Sequence, residues 1–168
     1  MKKVIKKYLT QLHENEEKGF SLVELIIVMA IMAVLVGVVA SQVIPYMEKS
    51  RQSTDQQQIS SIATSLVSAI AQDPNFDQST VAAAGLKFKL TDLSTNTTTT
   101  IDTTFAELSG ATSTSQAVSN VKAKFKSKKA KDSSNDIYVT LYPNGVVQVD
   151  VGSAAGSPAS PKLQVSTE

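Results

Sequence analysis

The sequence predicts an α+β protein in which one long N-terminal helix, apolar in its first half and amphipathic in its second, packs on a small antiparallel β-sheet. Three patterns predict this class. Residues 20–44 are almost entirely apolar, residues 59–70 repeat apolar side chains at helical spacing, and alternating apolar and polar residues follow after residue 121. Because the rest of the chain is rich in Ser, Thr, Ala, Lys and Asp, the domain outside the apolar stretch has a small core.

A basic flank precedes the apolar stretch. Residues 1–19 carry five lysines against three glutamates, which gives this flank a net charge of +2. Such a flank stays in the cytoplasm and directs the following chain outward. As a helix, residues 20–44 would extend about 37 Å, which is enough to cross a bilayer.

The amphipathic half of the predicted helix covers residues 45–72. Its apolar residues recur at spacings of three and four, which predicts one buried stripe. These residues are Ile59, Ile62, Ala63, Leu66, Val67 and Ile70. Asp73-Pro74 ends the helix, because proline lacks the amide and disfavours helix at the residue before it. One continuous helix from Phe20 to Gln72 is therefore expected.

The predicted globular β domain covers residues 73–151. Residues 75–119 are expected to be mostly loop, with a candidate strand at 85–90 and a short helix near 105–108. Strands are predicted at 121–126, 137–142 and 147–151, with a tight turn at 143–145 between the last two. Residues 152–168 are small and interrupted by proline, so a flexible C-terminal tail is expected.

The composition argues against an enzyme. The chain has no cysteine, and its one histidine, His13, lies in the basic flank. The usual nucleophilic, acid–base and transition-metal side chains are therefore scarce, and we predict no catalytic residue, no metal site and no cofactor. Oxygen ligands alternate from Asp132 to Asp136, but the glycine and distal glutamate of a calcium loop are missing, which favours an ordinary hairpin loop.

The hexapeptide GFSLVE at residues 19–24 opens the apolar stretch directly after the basic flank. This combination resembles the class III signal of type IV prepilins and pseudopilins. The resemblance implies a pilin fold, a leader of residues 1–19, cleavage by a membrane peptidase between Gly19 and Phe20, and N-methylation of Phe20. It also implies that Glu24 forms the assembly salt bridge with the Phe20 amine.

Electrostatics support a paired role for Glu24. A carboxylate in hydrocarbon is unfavourable unless it has a partner. Cleavage after Gly19 would create an α-amine that is cationic at neutral pH, and would leave Glu24 near the helix N-terminus, where the helix dipole favours an anion. In a bundle, the Phe20 amine of one copy would meet Glu24 of its neighbour, and loss of either partner would cost about 3–5 kcal/mol. A position at the membrane interface, or contact with the Phe20 amine of the same chain, are the alternatives.

This chain has two helix breakers, Gly37 and Pro45, but they lie at other positions than the breakers of the proteins it resembles. Related bacterial pilins often carry glycine at the position of Ala33 and proline at that of Ser41, and the segment between these breakers melts in the filament. Here the corresponding expectation is melting between Gly37 and Pro45. The absence of cysteine also departs from pilins that close a C-terminal loop with a disulfide, and is compatible with a Gram-positive major pilin.

A lysine-rich segment follows residue 121, and its side chains are candidates for phosphate contacts with nucleic acid or an anionic wall polymer. They are Lys122, Lys124, Lys126, Lys128, Lys129 and Lys131. Alternation with Val121, Ala123 and Phe125 favours instead the solvated face of an edge strand.

The resemblance implies a structural subunit of a type IV pilus, placed first as a single-pass protein of the cell membrane and then in an extracellular filament. Its implied partners are further copies of itself, the prepilin peptidase and methyltransferase, and an assembly ATPase with its membrane platform. A minor pilin or pseudopilin of a type II secretion or DNA-uptake system is the alternative, and motility and adhesion both stay open. A plain membrane anchor, or a secreted protein cut after Ala40, is the remaining alternative.

Overall fold

A computed structural model describes residues 19–167, so the predicted leader up to Lys18, with His13, lies outside the described residues. The first element is α1, Leu22–Gln72, a helix of 51 residues. It starts two residues later than expected and ends at the predicted residue. The Asp73 N–H donates to the Ile70 carbonyl at 3.2 Å, and Asp73 Oδ1 accepts the Asn75 N–H at 2.9 Å, which closes the helix before Pro74.

The predicted buried stripe of α1 is confirmed. Ile59, Ile62, Ala63 and Leu66 are buried, and Val67 and Ile70 pack against the same core. The buried face also begins earlier than the apolar pattern indicates, because Gln52 and Asp55 are buried as well.

The sheet is antiparallel and has five strands: β1 (Leu86–Lys89), β2 (Asp136–Leu141), β3 (Val147–Ala154), β4 (Ser157–Pro158) and β5 (Gln164–Ser166). The strand order is β1-β2-β3-β4, and β5 also pairs with β3. Val139 lies between Phe88 and Val149 in the register, and all three are buried. The α+β prediction of a long helix on a small antiparallel sheet is therefore confirmed.

The predicted turn between β2 and β3 is also present. The Tyr142 N–H donates to the Val146 carbonyl at 2.9 Å, and Gly145 has φ of 88°. Glycine suits this position because it adopts positive φ without a steric penalty.

The expectation of a mostly looped region at 75–119 is wrong. It contains α2 (Leu93–Asn96), α3 (Thr99–Leu108) and the start of α4 (Thr114–Lys124). The Thr98 side chain caps α3 by accepting the Ile101 N–H at 3.2 Å. Ile101 and Phe105 then face the core at a spacing of four.

The strand predicted at 121–126 is also wrong, because residues up to Lys124 belong to α4. The Ser113 side chain caps this helix by accepting the Gln116 N–H at 3.3 Å. Buried Ala117 and Val118 continue to Val121 at helical spacing. The apparent alternation after Val121 also fits a helix, since side chains four apart share a face.

The flexible tail expected at 152–168 is replaced by structure up to Thr167. β3 continues to Ala154, β4 pairs with it, and β5 pairs with Gln148–Asp150. Leu163 is fully buried in the core. Short strands and one apolar anchor thus hold a segment whose composition resembles a linker.

The chain divides into two compact units, one ending at Ile44 and the other beginning at Pro45. The core residues all lie between Ile59 and Leu163, within the second unit. None of residues 19–44 is a member of this core.

Candidate functional site

The apolar stretch of α1 is uncovered along its described length. Seventeen large apolar side chains from Phe20 to Ile44 are exposed, with Phe20 at 91% and Val43, the least exposed, at 44%. This helix is long and apolar enough to cross a membrane, judged by length and composition. Covering all seventeen side chains would contribute on the order of 20 kcal/mol, so a membrane or other protein chains must shield this surface from water.

The N-terminus of α1 is closed by a capping box that the sequence analysis missed. Ser21 Oγ accepts the Val23 N–H at 3.3 Å, and Glu24 Oε2 accepts the Ser21 N–H at 3.0 Å. The signal was present as Ser-x-x-Glu directly before an apolar run. Glu24 therefore has a local role in starting the helix in addition to the predicted assembly role.

The capping box leaves the predicted cleavage site outside the helix. α1 begins at Leu22, and a Cβ added to Gly19 would meet no atom within 4 Å among the described residues. Among residues 19–167, nothing therefore covers the Gly19–Phe20 peptide bond. Cleavage there and methylation of Phe20 stay predictions.

Glu24 retains acceptor capacity after capping the helix. Within residues 19–167, its only hydrogen-bond partner is the Ser21 N–H, which reaches one of its two carboxylate oxygens. The carboxylate is exposed and lies in the first turn of α1. It can therefore accept a cation from outside the chain and keep the cap.

Both predicted helix breakers are helical in the isolated chain, since Gly37 and Pro45 lie inside α1. The proline has no N–H to donate to the Ser41 carbonyl, so one helical hydrogen bond is missing there. The Ser41 side chain bonds to the Val38 carbonyl at 2.8 Å. Melting between Gly37 and Pro45 concerns the filament and stays a prediction.

The lysines of the lysine-rich segment fall into two groups, one that forms an ion pair within the described chain and one that does not. Lys122 donates to Asp136 at 3.1 Å, and Lys89 approaches the same carboxyl group at 3.7 Å. Burial opposes ionisation of Asp136, but the Ile137 N–H and the two ammonium groups outweigh it and hold the pKa of Asp136 below its usual value. The remaining lysines are exposed and form no ion pair within the described chain: Lys124, Lys126, Lys128, Lys129 and Lys131.

Two acids on α1 fix the backbone of this segment. The buried Asp55 carboxylate accepts the Lys126 N–H at 2.7 Å and the Ser127 N–H at 2.8 Å. Glu48 accepts the Lys128 N–H at 2.8 Å. No local pattern predicts these contacts, because they join residues more than seventy positions apart.

The side chains of the oxygen-rich loop at 132–136 form hydrogen bonds that stabilise a turn, and one of them forms an ion pair. Asp132 Oδ1 accepts both the N–H and the hydroxyl of Ser134, which lowers the pKa of Asp132. The Asn135 amide donates to the Lys129 carbonyl at 2.8 Å. These contacts are those of an ordinary connecting loop.

The N-terminal part of the chain matches a known protein-family model. Residues 15–40 match the family model of the prokaryotic N-terminal methylation motif. Searches of curated proteins and of solved structures found no match to the chain. This motif is the class III signal peptide of type IV pilins, and here it heads a long apolar helix. The motif and the pilin-like α+β fold together support a type IV pilin-like or pseudopilin protein.

Proposed function

We propose that the protein is a structural subunit of a type IV pilus, polymerised through α1 after cleavage between Gly19 and Phe20 and methylation of the Phe20 amine. The observation that carries the proposal is the uncovered apolar surface of residues 20–44, none of which belongs to the hydrophobic core of residues 59–163. The membrane covers this surface before assembly. Neighbouring α1 helices cover it in an extracellular filament.

Glu24 sets the position of neighbouring helices in this proposal. Cleavage supplies a cationic amine at Phe20, and the free acceptor capacity of Glu24 receives it from an adjacent subunit. In an apolar bundle either charge alone would cost about 3–5 kcal/mol, so misaligned packing is disfavoured. The prepilin peptidase and methyltransferase, an assembly ATPase and its membrane platform are the partners that this route requires.

Mass spectrometry of filaments sheared from cells tests the processing step. We expect an N-terminal peptide that begins with N-methylated Phe20. A chain that begins at Ser41 would refute the proposal, since cleavage after Ala40 removes the assembly surface. The chain should also be the main component of the fibre, whereas a trace amount would indicate a minor pilin or pseudopilin.

Substitutions at the helix start separate assembly from capping. Glu24→Ala removes both the charge and the cap, whereas Glu24→Gln keeps an acceptor for the Ser21 N–H and removes only the charge. We expect both variants to lose fibres while the domain still folds. Ser21→Ala, the matched control, removes the other half of the capping box and should retain fibres. Normal fibres from Glu24→Gln would show that capping is the whole role of Glu24.

A further inference from the structure

Positive and negative residues are segregated along the sequence of the second compact unit, whose net formal charge is zero. Residues 45–168 contain eleven Lys and Arg against eleven Asp and Glu. No basic residue occurs in 52–86 or in 90–121, and each of these stretches carries three acids. Six lysines then follow between Lys122 and Lys131. A neutral unit with separated charges can present its acidic side to the basic side of a second copy of itself, so a second copy offers both complementary surfaces.

The basic surface, defined as Lys124, Lys126, Lys128, Lys129 and Lys131, lies beside the early turns of the domain half of α1. Asp55 and Glu48 hold its backbone against those turns. Buried Phe125, Ser127 and Ala130 alternate with the lysines and anchor the segment. The ammonium groups therefore project from a fixed backbone, which lowers the entropy lost when a partner binds.

The acidic surface, defined as Asp77, Asp92 and Asp102, lies on segments that meet at the C-terminal end of α1. The Thr98 hydroxyl bonds to Asp73, just past the end of α1, and so joins α3 to that point. Asp102 lies in the first turn of α3, and the Asp92 carbonyl accepts the Asn96 side chain two residues before Thr98. Asp77 and Asp92 are exposed.

The two surfaces lie at different heights along α1. Asp55 and Asp73 are separated by eighteen residues, or about 27 Å along a helix axis. Parallel α1 helices displaced by about this distance along a filament would bring the C-terminal end of one helix level with residues 48–55 of another. We infer that the basic surface of one subunit binds the acidic surface of a neighbouring subunit, as a second contact beyond the apolar helix bundle. This inference rests on the proposed filament function.

Charge reversal tests the contact in the full-length chain. Lys129→Glu/Lys131→Glu should lower fibre yield roughly fivefold at about 0.1 M salt, and so should Asp77→Lys/Asp92→Lys. Combining all four changes should restore the yield to within about twofold. Lys87→Gln is the control, because Lys87 is also exposed but lies on β1, and the neutral glutamine places no second acid near Asp150; this variant should assemble normally. At about 1 M salt, where the screening length falls to about 3 Å, the variants should no longer differ.

Zero-length carbodiimide cross-linking of wild-type fibres gives an answer that does not depend on the folding of variants. Amide bonds between basic-surface lysines and acidic-surface aspartates should appear between subunits in fibres and be absent from unassembled subunits. Fibres that lack these links, or that ignore both charge reversals, would overturn the inference and leave the filament function intact. Absence of fibres and of Phe20 processing in the wild type would instead overturn the proposed function.

Discussion

Asp55 offers the sharpest test of how the domain is held together. Its carboxylate is fully buried and accepts two backbone N–H groups, from Lys126 at 2.7 Å and Ser127 at 2.8 Å. Replacing it with alanine leaves both donors without a partner. We expect Asp55→Ala to lower the free energy of unfolding by a large amount.

The magnitude follows from the number and type of bonds. A hydrogen bond to a charged group contributes about 1.5–3 kcal/mol, so two of them give about 3–5 kcal/mol after partial relaxation. Asp55→Asn keeps one acceptor but turns an amide N–H₂ toward the second donor, so we expect a loss of about 2–4 kcal/mol. These losses are large beside a typical domain stability of about 5–15 kcal/mol.

Urea unfolding of a fragment that begins at Pro45, followed by circular dichroism, measures these changes. The fragment contains all of the core residues. Glu48→Ala is the control, because Glu48 makes one comparable bond at an exposed site and should cost about 1 kcal/mol. A loss below about 1 kcal/mol for Asp55→Ala, or equal losses at the two sites, would refute the buried-bond argument.

Three further changes test the C-terminal strands and the acid response. Leu163→Ala should lower the free energy of unfolding by about 2–5 kcal/mol in the same urea assay, because Leu163 is fully buried. The control is Leu108→Ala, at a half-exposed residue, which should lower it by less than about 1 kcal/mol. Equal losses for the two variants would mean that the C-terminal segment is not anchored. Gly152→Ala should cost about 3 kcal/mol, because the new Cβ would lie 2.0 Å from the Ser157 carbonyl oxygen, and a neutral result would contradict the pairing of β3 with β4. The lowered pKa of Asp136 stabilises the fold above its unfolded pKa of about 3.9, and this contribution disappears as the pH falls through the folded pKa. Asp136→Asn should therefore lose stability at pH 7 but little near pH 2, and an equal loss at both would exclude an ionic role.

Local patterns were sufficient where one periodicity had a single interpretation. The apolar stretch, the stripe around Ile62 and the hairpin at Gly145 were all predicted, because a long apolar run, a repeat sustained over several turns and a glycine turn each favour one structure. The segment after Val121 was ambiguous. A short run can satisfy both a strand and a helix, and the cap at Ser113 that decides between them lies eight residues earlier.

The sequence by itself predicted the methylation motif, the apolar half of the N-terminal helix and the proposed processing site, because these depend on contiguous residues from Gly19 to Ile44. The tertiary structure alone decided the rest. In the sequence, Asp55 is one polar residue among several on a predicted helix. Only the fold brings the Lys126 and Ser127 N–H groups to its carboxylate. The composition of the C-terminal segment is that of a linker. In the fold, β3 provides its hydrogen-bond partners and the core buries Leu163. Contacts between distant residues leave no periodic trace along the chain, so composition and spacing do not predict them.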